Sequence, residues 1–144
     1  MNPVHFNQAS AAIFPEVPTV LSPVHAGFPS PAEDHADPPL SLTRRLVRHP
    51  AATFYVRAEG HSMAPMIESG DLLVVDRSRI ASDHDVVIAI VDGDFTVKTL
   101  RRSADGRIML VPVNPAFHPI TIPAQGQLDI WGTVTAIVRE LVKG

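Results

Sequence analysis

With 144 residues, 45% hydrophobic and 19% charged, the chain fits one compact domain with a real core and excludes a multidomain enzyme. Its 12 basic and 15 acidic side chains give a formal charge of -3, which leaves no broad electropositive face for direct, sequence-specific DNA binding through phosphate contacts. The absence of cysteine excludes disulfides, thiolate nucleophiles and Cys-based zinc sites.

The first 40 residues hold 8 of the 14 prolines, the acidic Glu16, Glu33, Asp34 and Asp37, and no Lys or Arg. Proline lacks a ladder donor and restricts its neighbour, so residues 1–40 are expected to form an extended, mobile arm without a helix or a central strand. Weak periodicity from Met1 to Phe14 agrees with this. Residues 41–144 form the expected β-rich domain. Leu42, Leu46 and Val47 stand at helical spacing in LSLTRRLV, with Ser41 able to cap and Pro50 ending the run, which predicts one short helix. Short β-branched runs follow: Thr53 to Ala58, Asp71 to Asp76 and Asp85 to Val91. Asp92-Gly93 then offers the positive φ angles of a two-residue hairpin turn into Asp94 to Leu100. Asp105-Gly106 reads as a second such turn before Ile108 to Val113, and Leu128 to Val138 as a long final strand. The fold class is therefore mainly β, a small twisted and partly closed antiparallel sheet with an extended N-terminal arm. No apolar run approaches the ~20 residues of a membrane-spanning helix, and no Lys or Arg precedes Arg44 to start a signal peptide, so no membrane association and a cytoplasmic location are expected.

Two residues invite chemistry. Lys98 lies in mid-strand, where period-2 alternation puts Thr96, Lys98 and Leu100 on one face and Phe95, Val97 and Thr99 on the other. It reads either as an edge-strand lysine that discourages aggregation or as a desolvated general base, since burial disfavours the ammonium. Half-neutrality near pH 7.4 needs a shift of about 3 units, roughly 4 kcal/mol, which full burial can supply and a surface position cannot. Ser62 follows the strand TFYVRA inside the glycine-bounded segment EGHSMAPMIESG. Gly60 permits a sharp turn that exposes the hydroxyl, and backbone N–H groups of the next turn can meet an oxyanion; the competing reading is an N-cap serine entering Pro65. The stretch Gly60 to Ala64 nearly matches a nucleophile elbow but lacks its second glycine and its parallel sheet. The histidines His5, His25, His35, His49, His61, His84 and His118 show no metal-binding spacing, so no metal and no cofactor are expected.

Several segments together resemble the LexA/UmuD family of self-cleaving serine peptidases: AGFPSPA at Ala26 to Ala32, TFYVRAEGHSM at Thr53 to Met63, SGDLLVVD at Ser69 to Asp76, DGDFTVKTL at Asp92 to Leu100, Leu110 to Asn114 and Pro119 to Ile122. The likeness covers residues 26 to about 140, with His61 and the Ala64-Pro65-Met66 stretch departing from the family pattern. It implies a LexA/signal-peptidase-like β fold. It also implies Ser62 as nucleophile, Lys98 as its neutral base, Thr96 as a residue that could orient the amine, and the backbone N–H groups of His61 and Ser62 as oxyanion donors. The implied substrate is the chain's own bond between Ala26 and Gly27, where small residues let an extended backbone approach the serine. Gly27 and Ser62 are far enough apart in the chain that length does not decide between cleavage in the same or a partner subunit. Only proline-bearing sequence without basic residues precedes the bond, so a helix-turn-helix repressor is not expected. The resemblance instead implies the DNA-damage (SOS) role: cleavage stimulated by a RecA filament on single-stranded DNA, and a product, residues 27–144, that joins a UmuC-type subunit in an error-prone translesion polymerase. It further implies a homodimer, for which the apolar final strand with Trp131 is a candidate contact surface. The alternatives are a non-cleaving dimeric interaction module and a regulator of a LexA-like repressor.

Overall fold

The computed structural model describes residues 5–8, 17–20, 36–123 and 126–142. The strands are β1 (His5–Gln8), β2 (Val17–Val20), β3 (Ala36–Leu40), β4 (Thr53–Arg57), β5 (Leu72–Asp76), β6 (Val86–Val91), β7 (Asp94–Arg102), β8 (Ile108–Val111), β9 (Ile120–Ile122) and β10 (Asp129–Val138), with one α-helix, α1 (Leu42–Leu46). They make an antiparallel, mainly β fold. One eight-stranded sheet runs β1-β4-β5-β10-β6-β7-β8-β9, and β2 and β3 form a separate ribbon. No pairing joins β1 to β9 among the described residues, so this twisted sheet is open.

Three strands fall within the first 40 residues. β1 adds to the outer edge of β4, with His5 opposite Arg57 and Gln8 opposite Phe54. The β2–β3 ribbon carries Pro18 opposite Pro38 and Pro39, and its register shifts between Val17 and Thr19. Prolines cannot donate to a ladder, so they sit where the ladder is already irregular. Helix α1 matches the expected short helix: Ser41 is its N-cap and accepts from the Arg44 N–H at 3.3 Å.

The β6–β7 hairpin follows from Asp92-Gly93. Both residues have positive φ, 50° and 83°, and Val91 pairs directly with Asp94. This is the type I′ turn whose twist suits the flanking strands. The second turn differs from its expected form. Only Gly106 has positive φ there, Arg102 pairs with Ile108, and residues 103–107 form a longer loop in which the Ser103 N–H donates to Arg107 O at 2.9 Å and the Ser103 hydroxyl to Asp105. Asp105 spends its carboxylate on that loop instead of adopting a left-handed turn conformation.

The continuous apolar run of β6 is buried on both faces. Ile88 joins Val56, Leu73, Val75, Met63, Ile67 and Trp131 on one side, while Val87 and Ala89 pack with Leu100 and Leu110 on the other. Trp131 is itself core, not a contact surface as the sequence suggests. It meets Phe54 and Phe95 edge-on, with ring centroids at 5.3 and 5.9 Å, and the Arg77 guanidinium covers it at 4.6 Å. The exposed apolar residues of this end of the chain are Ile137, Val138, Leu141 and Val142.

Candidate active site

Ser62 lies in the connection between β4 and β5. The base of this loop is closed by the Ala58 N–H donating to Asp71 O and the Gly70 N–H donating to Ala58 O, at 2.9 and 2.8 Å. Gly60, at φ 93°, makes the bend that a side chain would strain. Met63 and Ile67 then drop into the core beside Trp131, so apolar burial fixes the loop from beneath. Asp71 pins its far end. The carboxylate accepts from the Glu68 N–H at 2.8 Å and from Arg139 Nε at 2.7 Å. The Arg139 hydrogen bonds hold its pKa below the ordinary aspartate value, against the opposing effect of burial.

Lys98 comes from β7. It pairs with Val87 of β6, while β8 covers β7 only from Thr99 to Arg102, so the other margin of residues 95–98 opens onto a cleft. The predicted alternation holds: Thr96, Lys98 and Leu100 are buried, and Phe95, Val97 and Thr99 only partly so. A solvent-facing edge lysine is ruled out, because Lys98 is 8% exposed. Its Nζ lies 3.0 Å from Ser62 Oγ, 2.7 Å from Thr96 Oγ1 and 3.0 Å from Val97 O. Burial pushes the Lys98 pKa down from 10.5. Either protonation state is satisfied here. The ammonium donates to all three oxygens, whereas the neutral amine donates to Thr96 and Val97 and accepts the Ser62 O–H. A proton can therefore pass between oxygen and nitrogen without rearrangement of the site.

The cleft over this pair encloses about 260 Å³ and is walled by Phe95, Met63, Phe117, His118 and Ile120. It is concave and largely apolar, with Ser62 and Lys98 among its lining residues. His61 adjoins Ser62 but is exposed. His49 is engaged elsewhere, 2.7 Å from Asp76, and His84 lies against Asp83. Ala26 and Gly27 lie outside the described residues, between β2 and β3. Among the described residues no three His, Asp or Glu side chains come together.

Sequence reasoning assigned no role to Asn114. Its Nδ2 donates to His61 O at 2.9 Å and its backbone N–H to Ser62 O at 3.0 Å. The signal was the Asn-Pro pair in VPVNPAF, a turn-starting sequence whose side chain is free to bond backbone groups.

An open antiparallel sheet that presents a serine hydroxyl to a desolvated amine is the equipment of a serine peptidase that works with lysine in place of histidine. Comparison with known proteins gives the family. Residues 18–135 match the model of the Peptidase S24-like family. The chain is similar to Protein SamA of Salmonella typhimurium (48% identity over 116 residues, 80% of this chain and 79% of the relative). It is also similar to Protein MucA of Escherichia coli (40% over 132 residues, 90% and 89%) and to LexA repressor 1 of Geobacter sulfurreducens (39% over 125 residues, 85% and 60%). The chain belongs to this LexA/UmuD family and is an autocatalytic serine peptidase; at the level of the family, that activity serves the SOS response to DNA damage. Among the described residues no helix is long and apolar enough to cross a membrane.

Proposed function

We propose that the chain cuts itself between Ala26 and Gly27, with Ser62 as nucleophile and Lys98 as neutral base. The observation that carries this reading is the 3.0 Å approach of a buried lysine Nζ to Ser62 Oγ. Lys98 takes the Oγ proton as Oγ attacks the Ala26 carbonyl carbon. The ammonium so formed gives its proton to the Gly27 nitrogen as the C–N bond breaks, and the Ala26 ester on Ser62 is then hydrolysed by a water that the same amine deprotonates. Thr96 Oγ1 orients the amine, and the backbone N–H groups of His61 and Ser62 hold the oxyanion, an interaction worth about 10²–10³ in rate per donor.

In this reading residues 1–40 are the substrate arm and 41–144 the peptidase. A RecA filament on single-stranded DNA stimulates the cut in the cytoplasm, and the product, residues 27–144, works as a homodimer that joins a UmuC-type subunit of a translesion polymerase. Similarity to Protein SamA and Protein MucA over most of their length supports it.

Incubation of the full chain at about pH 10, where more Lys98 is neutral, should release a fragment beginning at Gly27, detected by intact-mass spectrometry. Ser62→Ala and Lys98→Ala should each leave the chain whole. RecA filaments should accelerate the same cut at neutral pH. If the unmodified chain stays intact under both conditions, the protein is a non-cleaving interaction module instead.

A further inference from the structure

The geometry points to Asn114 as a positioning residue for one of the oxyanion donors, the Ser62 N–H, a role that rests on the self-cleavage proposed above. A trans peptide is planar, so its C=O and N–H point in opposite directions and fixing one fixes the other. The His61 carbonyl shares a plane with the Ser62 N–H, and the Ser62 carbonyl with the N–H of Met63. Asn114 grips both carbonyls, through Nδ2 at 2.9 Å and through its own backbone N–H at 3.0 Å. The His61 carbonyl also accepts from the Ala64 N–H at 3.1 Å, so the side-chain bond and this turn bond together set the direction of the nucleophile's own N–H. The side-chain bond also polarises that amide, since a peptide whose oxygen accepts a hydrogen bond donates more strongly through its nitrogen.

Asn114 is held in turn. Its Oδ1 accepts from the Ala116 N–H at 3.0 Å and its carbonyl from the Phe117 N–H at 3.1 Å. Phe117 and His118 wall the substrate cleft. One turn, residues 114–118, thus joins the cleft wall to the peptide plane beside Ser62, and a peptide pressing on that wall bears on the Ser62 N–H through Asn114.

The test compares alkaline self-cleavage of the full-length parent with Asn114→Ala and Asn114→Asp. The Asp variant keeps the acceptor for Ala116, loses the donor to His61 O and sets a negative charge against that carbonyl; the Ala variant removes the donor without adding charge. Both variants should cut about tenfold or more slowly at the pH plateau, because one misdirected oxyanion donor loses much of the 10²–10³ that such a donor supplies. In Asn114→Ala the midpoint of the pH–rate profile, set by Lys98, should stay at the parent's value, and the thermal midpoint should show a folded protein. Parental rates in either variant overturn the assignment. So does a displaced pH midpoint in Asn114→Ala, since that would mean the Ser62 loop had left Lys98. A parent chain that never cuts itself removes the reaction and overturns both this inference and the function it rests on; a parent that cuts while the variants keep its rate overturns this inference alone.

Discussion

Replacing Lys98 with Met should abolish self-cleavage, by about 10²–10⁴-fold for loss of a general base, and should change how stability depends on pH. The native pKa of Lys98 lies below the 10.5 of a free lysine because the amine is buried. Below that native value both folded and unfolded chains hold the proton, and the folded state carries the full cost of a buried ammonium. Between the native value and 10.5 the unfolded chain binds more protons than the native one, so the stability of the parent rises with pH through this window. Met fills similar volume without charge and has no such slope. The stability of Lys98→Met relative to the parent should therefore be greatest at neutral pH and decline as pH approaches 10.5, as read from urea midpoints between pH 6 and 10. A constant difference across that range would contradict the desolvated amine. Lys98→Arg should be inactive at every pH tested, because a guanidinium does not release its proton in that range.

Trp131→Ala should be the most costly core substitution, by about 3–5 kcal/mol against the 5–15 kcal/mol that holds a domain together. Trp131 touches Phe54 of β4 and Phe95 of β7, and shares its core cluster with Met63 and Ile67 beneath the serine loop. Its loss should lower self-cleavage further than the unfolded fraction alone explains, since Phe95 also walls the cleft. Equilibrium urea unfolding checks the first effect and cleavage rates in the absence of urea the second. A loss below about 1 kcal/mol would show that the neighbouring side chains collapse into the space.

What could be read from the sequence was local. Ser41 and Pro50 frame α1, and Asp92-Gly93 makes its hairpin, because each depends on the conformations of adjacent residues. The alternation in DFTVKTL put Lys98 on one face with Thr96 and Leu100, but the pattern could say neither that this face is buried nor which loop approaches it; the Ser62 partnership came from the resemblance. Asp105-Gly106 was misleading because Ser103 and Arg107, outside the dipeptide, claim the hydrogen bonds. Asn114 on the Ser62 loop and Arg139 on Asp71 are contacts between distant parts of the chain, with no periodicity to announce them. Trp131 lies on a strand that looks amphipathic until a neighbour is known on either side.

The last strand occupies the middle of the sheet: β10 pairs with β5 on one side and β6 on the other. Ser62 hangs from the β4–β5 half and Lys98 belongs to the β6–β9 half, so without β10 no strand pairing joins the two halves. A chain stopped before Asp129 should carry both residues and still fail to cut itself at pH 10, as read by intact mass. Strand β10 thus acts as a keystone: it carries neither Ser62 nor Lys98, yet the sheet that brings them together depends on its pairings.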